Sequence, residues 1–595
     1  MTTSHRALAR WFVTVVLLLG TLTLTACTGL PTDHSPRPGE AVLGQPRQLV
    51  QAQPDPPTPG ATPQQIVRGF LRANVGLAED HQVARSYLTE ELGASWIPTD
   101  HVLVLDGASA LESTGEEQVR ANVSARGELG DDGRLQEYPT QSLARSEAFS
   151  LTRVQGQWRI NGFPDQFGLW LSASDFERQF RTVSVYYGSP GDDVLVPDVR
   201  YFARDEGLPT ALARAVLEPL PDYLVGAVVS AAGEETELLA GAVPVDPGTG
   251  VATVNLKAPG LGEDAPMAKL LWAQLVQTLT QAGGVRAVDV QVNGQPLVVS
   301  GVQGPVSSVT ELGYRASDQA VEVAVLRARD ELTLVDATNY ALDDLAEERA
   351  AEIDLPRPPE TWEELATNVA LGEFAGISRD RSTLWQWRAG NEVTRSEIGT
   401  ALSPPAYDRT GTLWVAGRSP GGPRVWVLSS TDPLGAVARR VRTPWLEEGT
   451  TVQDLRVAPD AQRAVVLLRD DTTDEQQIGI VGIVRDGERS AVALTAPRVV
   501  ASTIESVDTV AWASSTTLAV LGRKAQEEIA TPYQVPLNGW VLPLPAEDAS
   551  QHLRAIPDGE GFELVLVAGD GEIFTRSGGG WYSYRNGDDL VVPVG

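Results

Sequence analysis

Apolar positions along the chain fall into three successive patterns, and each predicts a different kind of structure. Thr62 is placed as an N-cap, Pro63 at the first helical position and Gln65 three residues on, the arrangement of a capping box. Ile66, Val67, Phe70 and Leu71 then form one apolar stripe at helical spacing. A second helix is read through Val83, Ala84, Tyr87 and Leu88, ending near Pro98. Strand-like runs follow at 101–105, 118–124, 148–154 and 158–160, with Asp131-Asp132-Gly133 as a hairpin turn. Helices first and an antiparallel sheet afterwards predict an α+β domain over residues 61–178.

Residues 179–303 repeat that mixture in a new order. Runs at 183–187 and 194–202 predict two paired strands, and 209–217 predicts a helix with Leu212, Ala215 and Val216 on one face. A short strand at 253–256 precedes a long helix over 265–281, with Leu270, Leu271, Leu275, Val276 and Leu279 facing inward. Strands at 288–292 and 297–299 close the domain as a hairpin around Asn293-Gly294. This is a second α+β domain.

Helical period fades over residues 304–595, and short strands take over. A weak repeat is visible there: an apolar lead-in, a polar turn, then an apolar strand, at 406–415, 457–467, 511–520 and, more faintly, 556–567. The turns recur at roughly 44 to 54 residues, which suits propeller blades of about 40 to 50. Roughly 290 residues allow six blades, or seven if some are short. The predicted fold class is therefore multidomain, two α+β domains followed by an all-β propeller.

The front of the chain belongs to none of these patterns. His5, Arg6 and Arg10 precede an uncharged apolar run from Trp11 to Leu24 that is too short to span a bilayer comfortably, since about twenty residues are needed. Leu24-Thr25-Ala26-Cys27 follows, in the order of a bacterial lipobox. Small residues let a peptidase reach the backbone, and only a thiol accepts a diacylglyceryl thioether. Cys27 is the single cysteine among 595 residues, so the chain keeps it for chemistry. Residues 1–26 are read as a lipoprotein signal peptide, cleaved between Ala26 and Cys27, with Cys27 carrying an S-diacylglyceryl group and an N-acyl chain such as palmitate. Several acyl chains anchor stably where one is marginal. Residues 27–60, with eight prolines between Pro31 and Pro59, form a proline-rich tether able to reach up to ~100 Å from the membrane. The expected location is the extracytoplasmic face of the cell membrane.

Composition narrows the partners. A formal net charge of -31 disfavours nucleic acid, whose binding rests on cations displacing counterions. It also repels anionic lipid headgroups, so the folded body is expected to stand off the bilayer. Without a cysteine pair, stability must come from packed cores.

No catalytic set emerges from the residue types. The five histidines (His5, His34, His81, His101 and His552) fall at no metal-ligand spacing, and no H-E-x-x-H or G-x-S-x-G is present. Acidic runs at Asp192-Asp193, Asp343-Asp344 and Asp470-Asp471 with Asp474 and Glu475 are candidates for calcium, against the plainer reading that loop carboxylates are solvated. Trp385, Trp387, Trp414 and Trp426 are read as packing between blades, the alternative being recognition groups. No catalytic, cofactor or metal residue is assigned.

The pieces together resemble the LpqB family of actinobacterial lipoproteins over essentially the whole chain. The resemblance rests on the lipobox, on residues 66–71 with 84–89 and Trp96, on 195–201 and 273–279 as a GerMN-type domain, and on the C-terminal repeats. Glu218-Pro219-Leu220-Pro221 departs from the small, glycine-containing turn expected after the helix. The resemblance implies a non-enzymatic accessory of a two-component sensor histidine kinase, contacting its extracytoplasmic domain in cell-envelope maintenance and division. The alternative is a propeller enzyme or ligand-binding protein acting on cell-wall glycan or a small molecule.

Overall fold

The computed structural model describes residues 54–593, apart from 76–80, 100, 140–142, 165–166, 316, 319, 338–352, 354, 358–361, 391–392, 560 and 578. Cys27, the cleavage position after Ala26 and most of the tether therefore lie outside the described residues, as do Asp343 and Asp344.

The first helix, Pro63–Ala73, starts where the capping box places it. The Thr62 hydroxyl accepts from the Gln65 N–H, and the Gln65 side chain accepts from the Thr62 N–H. Ile66, Val67 and Phe70 are buried, and Phe70 packs against Trp96 and Phe163 with ring centroids 5.4 and 5.5 Å away. The predicted second helix is two short ones, Gln82–Arg85 and Glu90–Ser95. Between them the backbone leaves the helix to pair with a strand, Ile160 N–H donating to the Tyr87 carbonyl and Thr89 N–H to the Ile160 carbonyl. Thr89 then caps the second piece. Sheet pairing outcompetes helix continuation here, which helical spacing alone does not register.

The sheet runs in the order Gln157–Gly162, Leu143–Val154, Gln118–Leu129, Val102–Leu105, Leu169–Ser172. Its last pair is parallel and the others antiparallel. The hairpin turn at Asp131-Asp132-Gly133 is present, and Gly133 has a φ of 73°. A Cβ there would stand 2.9 Å from the Tyr201 carbonyl, because the turn presses on a strand of the next domain. Glycine is required for both reasons.

In the second domain Phe180–Gly188 and Leu195–Ala203 pair antiparallel, with Val185 opposite Asp198. Val251–Lys257 and Ala287–Val292 are parallel neighbours joined through the helix Ala265–Leu279. That helix is capped by Asp264 and buries Leu270, Leu271, Leu275, Val276 and Leu279. It stops two residues early because Gln281 turns its side chain to the backbone of Ser184. The closing hairpin also differs. Only Gln295–Pro296 pairs back as strand: Leu297 N–H still donates to the Val290 carbonyl at 2.9 Å, but Val288, next in register, exchanges its hydrogen bonds with Val306, and 297–299 is not strand.

The remainder is a propeller with six sheets among the described residues. Blade 1 joins Val323–Ala328 and Glu331–Asp336 to the C-terminal strand Asp589–Val591, so the two ends of the domain close the ring. Blade 2 spans Trp362–Thr367 to Thr394–Ser396, and blade 3 Ala406–Tyr407 to Arg439–Val441. Blade 4 spans Thr450–Val457 to Arg498–Val500, blade 5 Ile504–Ser514 to Leu542–Pro543, and blade 6 Ser550–Pro557 to Gly580–Asn586. The repeat seen in the sequence is the turn between the first two strands of blades 3 to 6. In blade 3, Asp408 accepts from the backbone of Thr410 and Thr412 and from the Trp414 indole. Trp387, Trp414 and Trp426 are buried, and Trp385 stacks on Trp362 at 5.6 Å, so the packing reading of the tryptophans holds.

Candidate functional site

The three domains meet at one buried carboxylate. Asp198 sits in the middle of Leu195–Ala203, and residues two apart on a strand share a face, so Arg200 projects beside it. Arg200 Nε donates to Asp198 at 2.8 Å, its Nη1 to Glu218 at 2.5 Å and its Nη2 to the Tyr187 hydroxyl at 3.1 Å. Glu218 therefore has a definite task in the segment that departs from the family pattern. Pro221 leads into the short turn Asp222–Leu224, which aims the Tyr223 hydroxyl at Asp198, 2.8 Å away. From the first domain, Arg134 Nη2 reaches both oxygens of the same carboxylate at 3.0 Å.

The propeller completes this cluster. Arg498 of blade 4 lies 5.0 Å from the centre of the Tyr223 ring, and Arg134 lies 5.6 Å from it. Arg463 is fully buried on Asp460, with Nε at 2.8 Å. Burial alone would raise the Asp198 carboxyl, but Arg134, Arg200 and Arg498 outweigh it and hold it below its ordinary value. Burial pushes the Tyr223 phenol up, and Asp198 adds to that. Other contacts beside it are backbone-directed. Asn538 of blade 5 donates to the Gly133 carbonyl and accepts from Leu135 N–H, both at 2.8 Å, and Thr495 donates to the Tyr223 carbonyl at 2.7 Å. Apolar packing is shared too: Val465, Ile478 and Ile480 join the core of the second domain, and Trp540 joins that of the first.

A propeller's central channel is the other place where chemistry could gather. Glu364, Asp454 and Asp589 stand near it with Arg456 and Arg554. Arg554 grips Asp589 with two hydrogen bonds of 3.1 and 3.0 Å and lies 3.9 Å from Glu364, while Arg456 lies 2.9 Å from Asp454. Burial raises the Asp454 carboxyl despite Arg456, whereas Arg554 and His552 overcome burial at Asp589 and lower it. The void among Leu365, Tyr407, Val457 and Trp512 is about 70 Å³. Pockets that enclose small organic ligands run to about 300 Å³ and above.

Of the acidic residues flagged for calcium, Asp192, Asp470, Asp471 and Asp474 are engaged otherwise. Asp192 pairs with Arg409, Asp471 with Arg418, and Asp474 with Arg469 at 3.6 Å. Asp470 accepts from the backbone of Thr472 and Thr473. Among the described residues no group of three or more His, Cys, Asp or Glu is placed to hold a metal ion. Sequence reading missed the Asp198 cluster, although Asp198 and Arg200 lie inside the segment quoted for the family resemblance. A charged pair two apart within an otherwise apolar strand was the available signal.

Three family descriptions match in chain order: "Lipoprotein LpqB, N-terminal domain" over residues 56–177, "Sporulation and spore germination" over 184–298, and "Lipoprotein LpqB beta-propeller domain" over 362–594. Proteins named lipoprotein LpqB are similar over most of their length. That of Cutibacterium acnes is 25% identical over 93% of this chain and 94% of its own. That of Thermobifida fusca is 29% identical over 88% of each. That of Streptomyces coelicolor is 28% identical over 96% of each. Among the described residues no helix is long and apolar enough to cross a membrane.

Proposed function

This chain belongs to the LpqB lipoprotein family, and from that premise we propose that it works as a non-enzymatic accessory of an extracytoplasmic sensor histidine kinase in cell-envelope maintenance and division. Membership of the family implies a membrane-anchored lipoprotein with a β-propeller. In this reading the anchor is lipid on Cys27 after removal of residues 1–26, and residues 27–60 are the tether. The body then stands at the outer face of the cell membrane.

The observation that carries the interaction reading is the joining of all three domains around the Asp198–Tyr223 cluster. A body braced in this way presents fixed outer surfaces to a partner, as an adaptor requires. Cross-linking in intact cells with the full-length acylated protein, and identification of captured proteins by mass, tests it. Recovery of a sensor kinase through its extracytoplasmic domain is expected. Recovery of no kinase and no envelope protein overturns it.

The reading as a propeller enzyme or ligand-binding protein draws on Glu364, Asp454 and Asp589 near the channel. Asp454 and Asp589 are each committed to an arginine, Glu364 lies within ion-pair distance of Arg554, and the void beside them is small. Those observations favour the accessory role.

A further inference from the structure

Between the hairpin at 131–133 and blades 4 and 5 lies a cleft of about 430 Å³, walled in part by Arg134, Glu137, Arg498, Ser502 and Asn538. Ser502 and Val499 on its wall are exposed, so solvent reaches it. Three carboxylates also line it, and each is engaged. Glu128 accepts from the Tyr138 hydroxyl at 2.5 Å and from Arg145 at 3.2 Å, with His101 at 3.6 Å. Asp132 accepts from the Arg134 N–H at 3.0 Å and lies 3.3 Å from its Nε. Glu137 accepts from Val541 N–H at 3.2 Å and faces Lys524 at 4.0 Å.

Arg498 is the exception on this wall. Its Nη2 donates to the Leu537 carbonyl at 3.1 Å, yet among the described residues no carboxylate lies within 4.0 Å of its guanidinium. Its Nε has no acceptor, and neither has Nη1 of Arg134 across the Tyr223 ring. Burial lowers the Arg498 guanidinium from its usual value; Tyr223 and Asp198 oppose that, and Arg134 and Arg463 add to it. Asp198 acts on Arg498 only at longer range and through a charge already shared with Arg134 and Arg200, so the Arg498 cation has no anion in contact. A desolvated cation compensated in this way is costly, and a guanidinium presents its N–H groups in a fork that fits two oxygens of one anion. The cleft beside it falls within the range of small-molecule sites.

We propose that this cleft binds an oxyanion, a phosphate or carboxylate group, with Arg498 as its principal cation. The volume exceeds that of one such group, so the oxyanion is the anchoring part of a larger ligand. Its occupant touches the first domain and the propeller together, and so tightens their contact. This inference does not depend on the identity of any protein partner.

The test uses the full-length protein in detergent, titrated calorimetrically with inorganic phosphate and separately with acetate, against sodium chloride at matched ionic strength. Binding of either anion beyond the chloride control is expected, and the tighter of the two identifies the group. Arg498→Met should weaken that binding at least about tenfold, and Arg498→Lys should retain part of it. Ser502→Asp, which adds a carboxylate at the rim, should weaken binding independently. The proposal is overturned if neither anion binds beyond chloride, or if Arg498→Met and Ser502→Asp bind as the natural protein does.

Discussion

Arg134 Nη2 lies 3.0 Å from both oxygens of Asp198, and the two residues belong to different domains. The hairpin that carries Arg134 also hands its Gly133 carbonyl to Asn538 of the propeller. One carboxylate thus joins Arg134 of the first domain to Arg200 and the Tyr223 phenol of its own. Removing one partner from a buried ion pair typically costs about 3–5 kcal/mol, since the other charges stay buried without it. Asp198→Asn is therefore expected to lower stability by about that amount and to expose the domain boundaries to protease. Urea unfolding and limited proteolysis measure the two effects. Tyr223→Phe, which keeps the ring and loses only the hydroxyl, should cost about 1.5–3 kcal/mol.

Acid should unlock the same junction. In the fold Asp198 and Asp589 have carboxyls held below the ordinary value by their arginines. For such groups the unfolded chain binds protons more readily than the folded one. Their contribution is present above about pH 3.9 and is lost as pH falls through the lower folded value. Asp454 has the opposite sign: burial raises it, so it costs stability as pH climbs from about 3.9 through its raised value. Urea midpoints between pH 2.5 and 7 should thus fall on the acid side, less steeply in Asp198→Asn, and Asp454→Asn should be better tolerated at neutral pH than Asp198→Asn.

Closure of the propeller rests on three residues at the far end of the chain. Asp589–Val591 completes blade 1, and Asp589 also holds Arg554 near the channel. Deleting residues 588–595 should leave Val323–Ala328 with an unpaired edge and Arg554 without its closest carboxylate. The expected outcome is a propeller that is cut rapidly by protease and aggregates at concentrations where the intact chain does not. Equal protease resistance would count against ring closure by this strand.

Cys27→Ser tests the anchor. The hydroxyl cannot form the thioether, so the variant should accumulate as an uncleaved precursor or appear in the soluble fraction. Membrane fractionation and intact mass distinguish these outcomes. A variant still membrane-bound and processed at the same site would refute the lipobox reading.

Local chemistry was readable from single segments. The Thr62–Gln65 cap, the Gly133 turn, the helix after Asp264 and the repeating turns at Asp408 and Asp460 all depend on neighbours within a few residues. The fold class followed from their order. The boundaries that slipped did so where distant chain intervened: Ile160 pulled Tyr87–Thr89 out of the helix, and Ser184 drew Gln281 away from its end.

By itself the sequence determined the first helix with its Thr62 cap, the two longer helices of the second domain and the turn residues that mark blades 3 to 6. These are set by backbone sterics and hydrogen bonds over a turn or two. Tertiary structure alone decided that Arg134, Asp198, Tyr223 and Arg498 share one buried site, although they come from three domains. Spacing along a chain carries no information about which charges lose their water together, and that shared desolvation gives the site its character.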